Sequence, residues 1–498
     1  MRHHMTLIHL TSCLYFFSFY LCTVNGYGDL HFDPIDKFVI KAIQRRDLEV
    51  DVSRLDNVAA HTSVYISAQD GLMEADKIDK LPGQPEGVDF DQYAGYVTVD
   101  PIAGHALFYY FVEATQDPAS KPLLLWLTGG PGCSSFGHGA MTGLGPFRVN
   151  SDGKTLIRNE YAWNKVASII FLESPVGVGF SYSNTTSDYD QIGDTKTAQG
   201  SYTFIVNWLE RFPQYKTQGF YIAGDGYAGH YVPQLAYTIL VNNKLNNQTI
   251  INLQGIAIGN GWMDDEATLR GMYDYWWTHN LIPNEIHDGI TSRCNFSSTA
   301  HKSASCQKYL DKAQSSRGDI YIYDIYSTSC NSSSHHVLSS GGFDTCSYAY
   351  TRSYLNLPQV QEALHANITA LPYIWEACTS VIESWKDWHP TILPTIKLLT
   401  ERNLRLWIYS GDTDARVSIT STNYFIDKLN ISVNTSWYPW YAKGEIAGYA
   451  IGYQNLTFAS VRGGGHFVPS FQPDRALTLF SSFLEGKLPP NSPSDFGN

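Results

Sequence analysis

The apolar residues of this chain gather in short runs that stop at glycine. PLLLWLTGG and SIIFLESPVGVGFSY are nearly uninterrupted apolar segments of the kind buried on both faces of a parallel sheet. FDQYAGYVTVD and ALFYYFVEA mix β-branched and aromatic residues in short alternation around PIAGH, which predicts two strands and a turn. QGSYTFIVNWLERFPQY carries the apolar spacing of an amphipathic helix. GFYIAGDGYAGHYVPQLAYTIL reads as strand, sharp turn and helix, and INLQGIAIGNG and LRLWIYSGDTD are further strand-to-loop transitions. Alternating helices and strands predict an α/β fold with a central, mostly parallel sheet, whose functional loops leave one edge.

The rhythm breaks between about 262 and 390, where DDEATLRGMYDYWWTHN and the polar CNSSSHHVLSSGG predict an inserted cap over that edge. Ahead of the first strands, residues 27–80 are charged and weakly periodic, and read as a leader or arm. Residues 1–26 place Arg2, His3 and His4 before an apolar run that ends at VNGYGD, the pattern of a secretory signal peptide. The main domain is expected over 81–490, with 491–498 as a tail.

Composition narrows the function classes. With 47 acidic and 34 basic residues the formal charge is -13, and no basic stripe interleaved with aromatics occurs, so a nucleic-acid surface is not expected. No segment beyond the signal is apolar enough to span a bilayer, so no stable membrane insertion is expected after its cleavage. Cys133, Cys294, Cys306, Cys330, Cys346 and Cys378 remain after the signal, an even number compatible with three disulfides in an oxidising compartment. Without close C-x-x-C spacing, no metal site is expected. Sequons start at Asn184, Asn247, Asn295, Asn331, Asn367, Asn430, Asn434 and Asn455, candidate glycosylation sites of an exported chain. Asn430 and Asn434 are close enough to compete for one modification.

The stretch YIAGDGYAGHYVPQ has the shape of a nucleophile elbow, the strand-to-helix turn that holds a serine hydroxyl above the sheet of an α/β-hydrolase. Position 226 is glycine. The other partners of such a site follow in the expected order of acid, then histidine. Asp414 and Asp412 compete for the acid in the turn GDTDARV, and His466 lies in a glycine-rich loop after the strand-like LTFASV. His230, just past the elbow, reads as a packing residue, and His138 has no assigned base role. TGGPGCSS can aim backbone N–H groups at a developing oxyanion, and the proposed donors are Gly130 and Tyr227. Ser134, Ser135 and Ser174 are possible replacement nucleophiles, but nothing in the sequence sets them against both base and donors.

Taken together, WLTGGPGCSS, FLESPVGVGFSYSNT, GDGYAGHYVPQLA, IAIGNG, WIYSGDTDARV and VRGGGHFVPSFQP resemble the plant serine carboxypeptidase-like family over almost all of 81–490. The resemblance implies an α/β-hydrolase with an inserted cap, the acid at Asp414, the base at His466 and the nucleophile at position 226. It implies disulfides Cys133–Cys378, Cys294–Cys306 and Cys330–Cys346, and a secreted or vacuolar glycoprotein without cofactor. Family members release C-terminal amino acids through an acyl-enzyme, and one branch transfers acyl groups from glucose esters. The family pattern has serine where this chain has Gly226, glutamate for Asp225, asparagine for Thr128, and usually glutamate near Gly143. Thr128, Gly129, Gly143 and Asp225 are substrate-binding candidates, and of these Thr128, Gly143 and Asp225 depart from the family pattern.

Three functional expectations follow. The first is a carboxypeptidase-type hydrolase impaired at its nucleophile, the second a non-catalytic binding or companion protein, and the third a relative of the acyltransferases. The matching partners are a peptide or small acylated substrate, an active paralogue, or a second copy of the chain.

Overall fold

The computed structural model describes residues 64–493 except 247–249, 298–302, 331–341, 368 and 370. The expected signal peptide, the leader up to residue 63, Asn247, Asn331 and the tail from 494 lie outside the described residues.

The apolar runs become the strands of one large sheet. In chain order these are β1 (Lys77–Ile78), β2 (Gln92–Asp100), β3 (His105–Val112) and β4 (Leu123–Thr128). β5 (Phe147–Val149) and β6 (Leu156–Arg158) form a separate ribbon. The main sheet continues with β7 (Ser168–Leu172), β8 (Tyr182–Ser183), β9 (Phe220–Asp225) and β10 (Leu253–Gly259). After the cap come β11 (Arg405–Gly411), β12 (Val433–Ala442), β13 (Glu445–Tyr453) and β14 (Leu456–Val461). The spatial order is β1-β2-β3-β7-β4-β9-β10-β11-β14-β13-β12, with β8 beside β3. The strands from β7 to β14 in that order are parallel, and antiparallel strands flank them on both sides.

Every residue of β4, β7, β9 and β14 is buried, because helices cover both faces of the sheet. Successive side chains point to opposite faces. Leu125, Leu127, Ile222, Ile258 and Leu406 therefore join a core with helices α1 (Asp194–Arg211) and α2 (Ala228–Leu245). Leu124, Trp126, Ala223, Ala257 and Trp407 join the opposite core, which a C-terminal helix (Pro473–Glu485) closes.

Between β10 and β11 the chain leaves the sheet and builds the cap, with α3 (Asp265–Thr278), α4 (Asn284–Arg293), α5 (Ala304–Arg317) and α6 (Ser347–Leu355). The structure is thus an α/β-hydrolase fold with an inserted cap. Disulfide Cys133–Cys378 joins the cap to the loop after β4 and closes 245 residues of chain. Hydrogen bonds from Ser134 N to Ala377 O and from Thr379 N to Gly132 O, both 2.8 Å, flank it. Closing so long a loop removes about 5 kcal/mol of chain entropy from the unfolded state in the loop-closure model. Cys294–Cys306 and Cys330–Cys346 close shorter loops within the cap.

The segment expected as a leader or arm is packed on the domain from residue 64. Its β1 extends the sheet, and Ser67 N donates to Asn207 Oδ1 on α1 at 2.9 Å. Buried Asp76 accepts from Arg211 Nη1 at 2.5 Å and from Tyr109 OH at 2.6 Å, while Arg211 Nε donates to Gln69 Oε1 at 2.9 Å. Gly95 makes room for this carboxylate, since a Cβ there would lie 2.3 Å from Asp76 Oδ1.

Another buried carboxylate, Glu173 after β7, ties three segments together. Its Oε1 accepts from Ser134 OH at 2.5 Å and Trp375 Nε1 at 2.9 Å, and its Oε2 accepts from Phe180 N at 2.6 Å. Burial raises its pKa from 4.5 to about 7 against the lowering effect of those donors.

Two outcomes test these polar anchors. Asp76→Ala strands Arg211 in the interior, and is expected to cost about 3–5 kcal/mol in urea denaturation. The folded state holds the Glu173 proton more tightly than the unfolded chain, so that contribution is full below pH 4.5 and is lost as pH rises through about 7. Glu173→Gln removes this slope, so the variant's stability relative to the parent is expected to rise by about 2–3 kcal/mol between those limits.

Candidate active site

Parallel register brings the strand ends level. Thr128 of β4 pairs with Asp225 of β9, Asp225 with Gly259 of β10, and Gly259 with Tyr409 of β11. The loops leaving these ends carry the candidate chemistry onto one edge of the sheet.

The elbow turns at Gly226, whose φ of +61° lies in the left-handed region that side chains with a Cβ rarely adopt. Gly226 O accepts from Gly229 N at 3.0 Å and Trp262 N at 2.9 Å, which locks the turn into the start of α2. A Cβ on residue 226 would lie 3.0 Å from His466 Nε2. The position that a nucleophile would occupy therefore faces the imidazole. Beneath the turn, Tyr227 OH and Trp385 Nε1 each donate to Asp194 Oδ1 at 2.9 Å, fastening the elbow to α1 and the cap.

His466 is buried, and its Nδ1 lies 2.7 Å from Asp414 Oδ2. Asp414 also accepts from Arg416 N at 2.7 Å, from Val417 N at 3.2 Å and from Asn260 Nδ2 at 2.9 Å. Its rival Asp412 turns away and accepts from Gly463 N at 2.6 Å, stabilising the loop that leads to His466. The cap holds both loops: His466 N donates to Tyr323 O at 2.7 Å, and Ala415 N donates to Ile322 O at 2.9 Å.

Asn260 was given no role by sequence reasoning. It follows β10 with φ +40°, a conformation asparagine tolerates better than most residues, and its Oδ1 accepts from Gly411 N at 2.9 Å. Its position after IAIG, at the end of a central strand, was the available signal. It holds the Asp414 carboxylate on the side away from Arg416.

The loop after β4 approaches the elbow closely. A Cβ on Gly129 would lie 2.2 Å from Ala228 N and 2.3 Å from Tyr227 N, so only glycine fits between them. Gly130 follows on the same buried loop. Asp225 is buried beside this contact, and burial raises its pKa to about 7, opposed by the charge of His466 and by the Thr128 hydroxyl. Gly143 sits farther along, where a Cβ would meet His138 O at 3.0 Å and Ser470 Oγ at 3.5 Å.

The remaining candidates are committed elsewhere. Ser134 Oγ donates to Glu173 and accepts from Gly137 N; Ser135 Oγ accepts from Thr128 N at 2.9 Å; Ser174 Oγ lies 3.0 Å from Ser201 Oγ. His230 places its ring nitrogens 2.7 and 2.8 Å from the carbonyl oxygens of Trp262 and His389, and stacks on Tyr227. His138 packs between Tyr348 and Phe467, and burial, with the charge of His466, lowers its pKa to about 3. It lies near Cys133 and Cys378 at ligand-like spacing, but those sulfurs are joined as a disulfide and offer no thiolate. Among the described residues, no helix is long and apolar enough to cross a membrane.

An acid-oriented imidazole facing a left-handed elbow, with amides beside it, is the arrangement of acyl-transfer hydrolases, here without the hydroxyl. The family model for serine carboxypeptidase matches residues 82–486. Serine carboxypeptidase-like 40 of Arabidopsis thaliana is 52% identical over 424 residues, covering 84% of each chain. Serine carboxypeptidase 24 of the same plant is 47% identical, covering 86% of this chain and 96% of its own. Among solved structures, a prohormone-processing carboxypeptidase from Saccharomyces cerevisiae superposes with a TM-score of 0.69 at 23% identity, covering 83% of this chain and 96% of its own. With that fold and that extent of match, the chain belongs to the serine carboxypeptidase family.

Proposed function

We propose that this chain binds ligands of the serine carboxypeptidase type but does not process them through an acyl-enzyme. One observation carries the reading: the Cβ direction at residue 226 ends 3.0 Å from His466 Nε2, and glycine puts no oxygen there. The proposed base is His466, oriented by Asp414, and the proposed oxyanion donors are the amides of Gly130 and Tyr227. Thr128, Gly129, Asp225 and Gly143 form the proposed recognition positions next to them.

The general acid–base pair and oxyanion donors support slow water-mediated turnover, since removing a triad member leaves residual catalysis of about 10³–10⁴-fold over water. Efficient peptidase turnover needs the covalent route. A second reading, acyl transfer, is favoured by Thr128 and Asp225. The three disulfides support passage through an oxidising secretory route to the vacuole or the cell exterior.

A phosphonate probe for active serines is expected to leave the purified protein unlabelled; stoichiometric labelling of any serine would overturn the reading. Gly226→Ser is expected to acquire labelling and to release the C-terminal residue of a blocked dipeptide about 10⁴-fold or more faster than the parent. A correctly folded variant that instead transfers acyl groups from an acyl-glucose donor would favour the second reading. The same substitution forces a side chain into the left-handed region, at a cost of about 1–2 kcal/mol, so its urea midpoint should fall while its activity rises.

A further inference from the structure

The large sheet ends in an open strand. Among the described residues β12 pairs only with β13, and its register breaks between Val433 and Thr435, between Thr435 and Tyr438, and between Trp440 and Tyr441. The first break leaves Asn434 as the extra, unpaired residue of a bulge. Such bulges, with Pro439 in the same strand, deter a further strand from adding to the edge. They leave the apolar surface of the edge uncovered. Trp437 is the most exposed of the described tryptophans, at 52%, and its ring stacks on Tyr449 of β13 at 5.6 Å and 11°. Val433 is exposed to the same degree, and large apolar side chains grouped on a surface mark a place that something covers.

The same strand carries a cover. Asn434, Thr435 and Ser436 form a sequon, and Asn434 is exposed. Trp437 follows three positions on, about 10 Å along an extended strand, within the length of the two inner sugars of an N-linked oligosaccharide. Two nearby sequons are placed differently. Asn430 ends the helix Ile419–Leu429 with φ +49°, off the sheet. Asn455 turns β13 into β14, and its Nδ2 donates to Thr400 O at 2.9 Å and to Asn403 Oδ1 at 3.2 Å. A sugar on that nitrogen would leave one proton for two acceptors.

We infer that Asn434 is a glycosylation site whose oligosaccharide lies over the Trp437–Tyr449 pair at the edge of the sheet. During export the side chain meets an oligosaccharide carried on a polyprenyl diphosphate. A bond forms between Asn434 Nδ2 and C1 of the first sugar, and the bond from C1 to the diphosphate oxygen breaks. Nδ2 gives up one proton and the polyprenyl diphosphate leaves. The attached sugars then set the C–H face of a ring on the exposed indole and keep their hydroxyls in water, as amphipathic groups do on apolar surface. This inference rests on the secretory route proposed above.

Glycopeptide mass spectrometry of the full protein secreted by plant cells is expected to find sugar on Asn434 and none on Asn455. Oxidation of the folded protein by N-bromosuccinimide, mapped peptide by peptide, should reach Trp437 about fivefold or more slowly than after enzymatic removal of the oligosaccharides, the protection given by a stacking contact. Trp277 on α3, 39% exposed, is the internal reference and should oxidise at one rate in both forms. Asn434→Gln should abolish the protection and Asn430→Gln should retain it; removing the sugars from the folded parent keeps the comparison where a variant does not fold. Asn434 bare while another sequon carries sugar, Asn455 included, or Trp437 equally reactive with and without sugar, overturns the inference and leaves the secretory route standing. Bare asparagine at all eight sequons removes both.

Discussion

The close passage of the loop after β4 over the start of α2 sets the geometry of everything around it. Gly129 leaves no room for a Cβ against Tyr227 N and Ala228 N, so the two backbones can approach only with glycine there. That approach rests on the level pairing of Thr128, Asp225 and Gly259 at the strand ends. A shift of one residue in that register would turn side chains to the opposite face and separate the amides from the imidazole. The site is therefore a property of sheet register first, and of individual side chains second.

The elements that position the site could be read from apolar pattern. Buried parallel strands are nearly continuous apolar runs, and the glycines that end them mark where backbone must turn or approach backbone. The choice between Asp414 and Asp412 was not legible from local pattern, because both sit in one turn and only their distant partners, His466 and Gly463, separate them. Asn260 was missed for a similar reason, since its partner Asp414 lies 154 positions away in the chain. The packing of 64–80 escaped notice because polar residues, Gln69, Asp76 and Arg211, make the attachment, and hydropathy reads such residues as exposed.

Buried carboxylates divide the work of the molecule according to their partners. Asp414 accepts two backbone N–H groups, an asparagine amide and an imidazole. Glu173 accepts three donors yet lies so deep that burial wins and favours its protonated form. Asp225 keeps one oxygen without a partner, which costs stability in a closed core. Gly226 contributes by what it does not demand: it relaxes the left-handed turn that a serine would strain.

Cys133 and Cys378 tie the cap covalently to the loop that carries Gly130. A cap hinged like a lid could swing clear of the sheet edge while the loop after β4 stayed in place. Here, any displacement at Cys378 pulls on a loop three residues from Gly130. The bond thus couples the position of the cap at Cys378 to that of Gly130 beside the elbow.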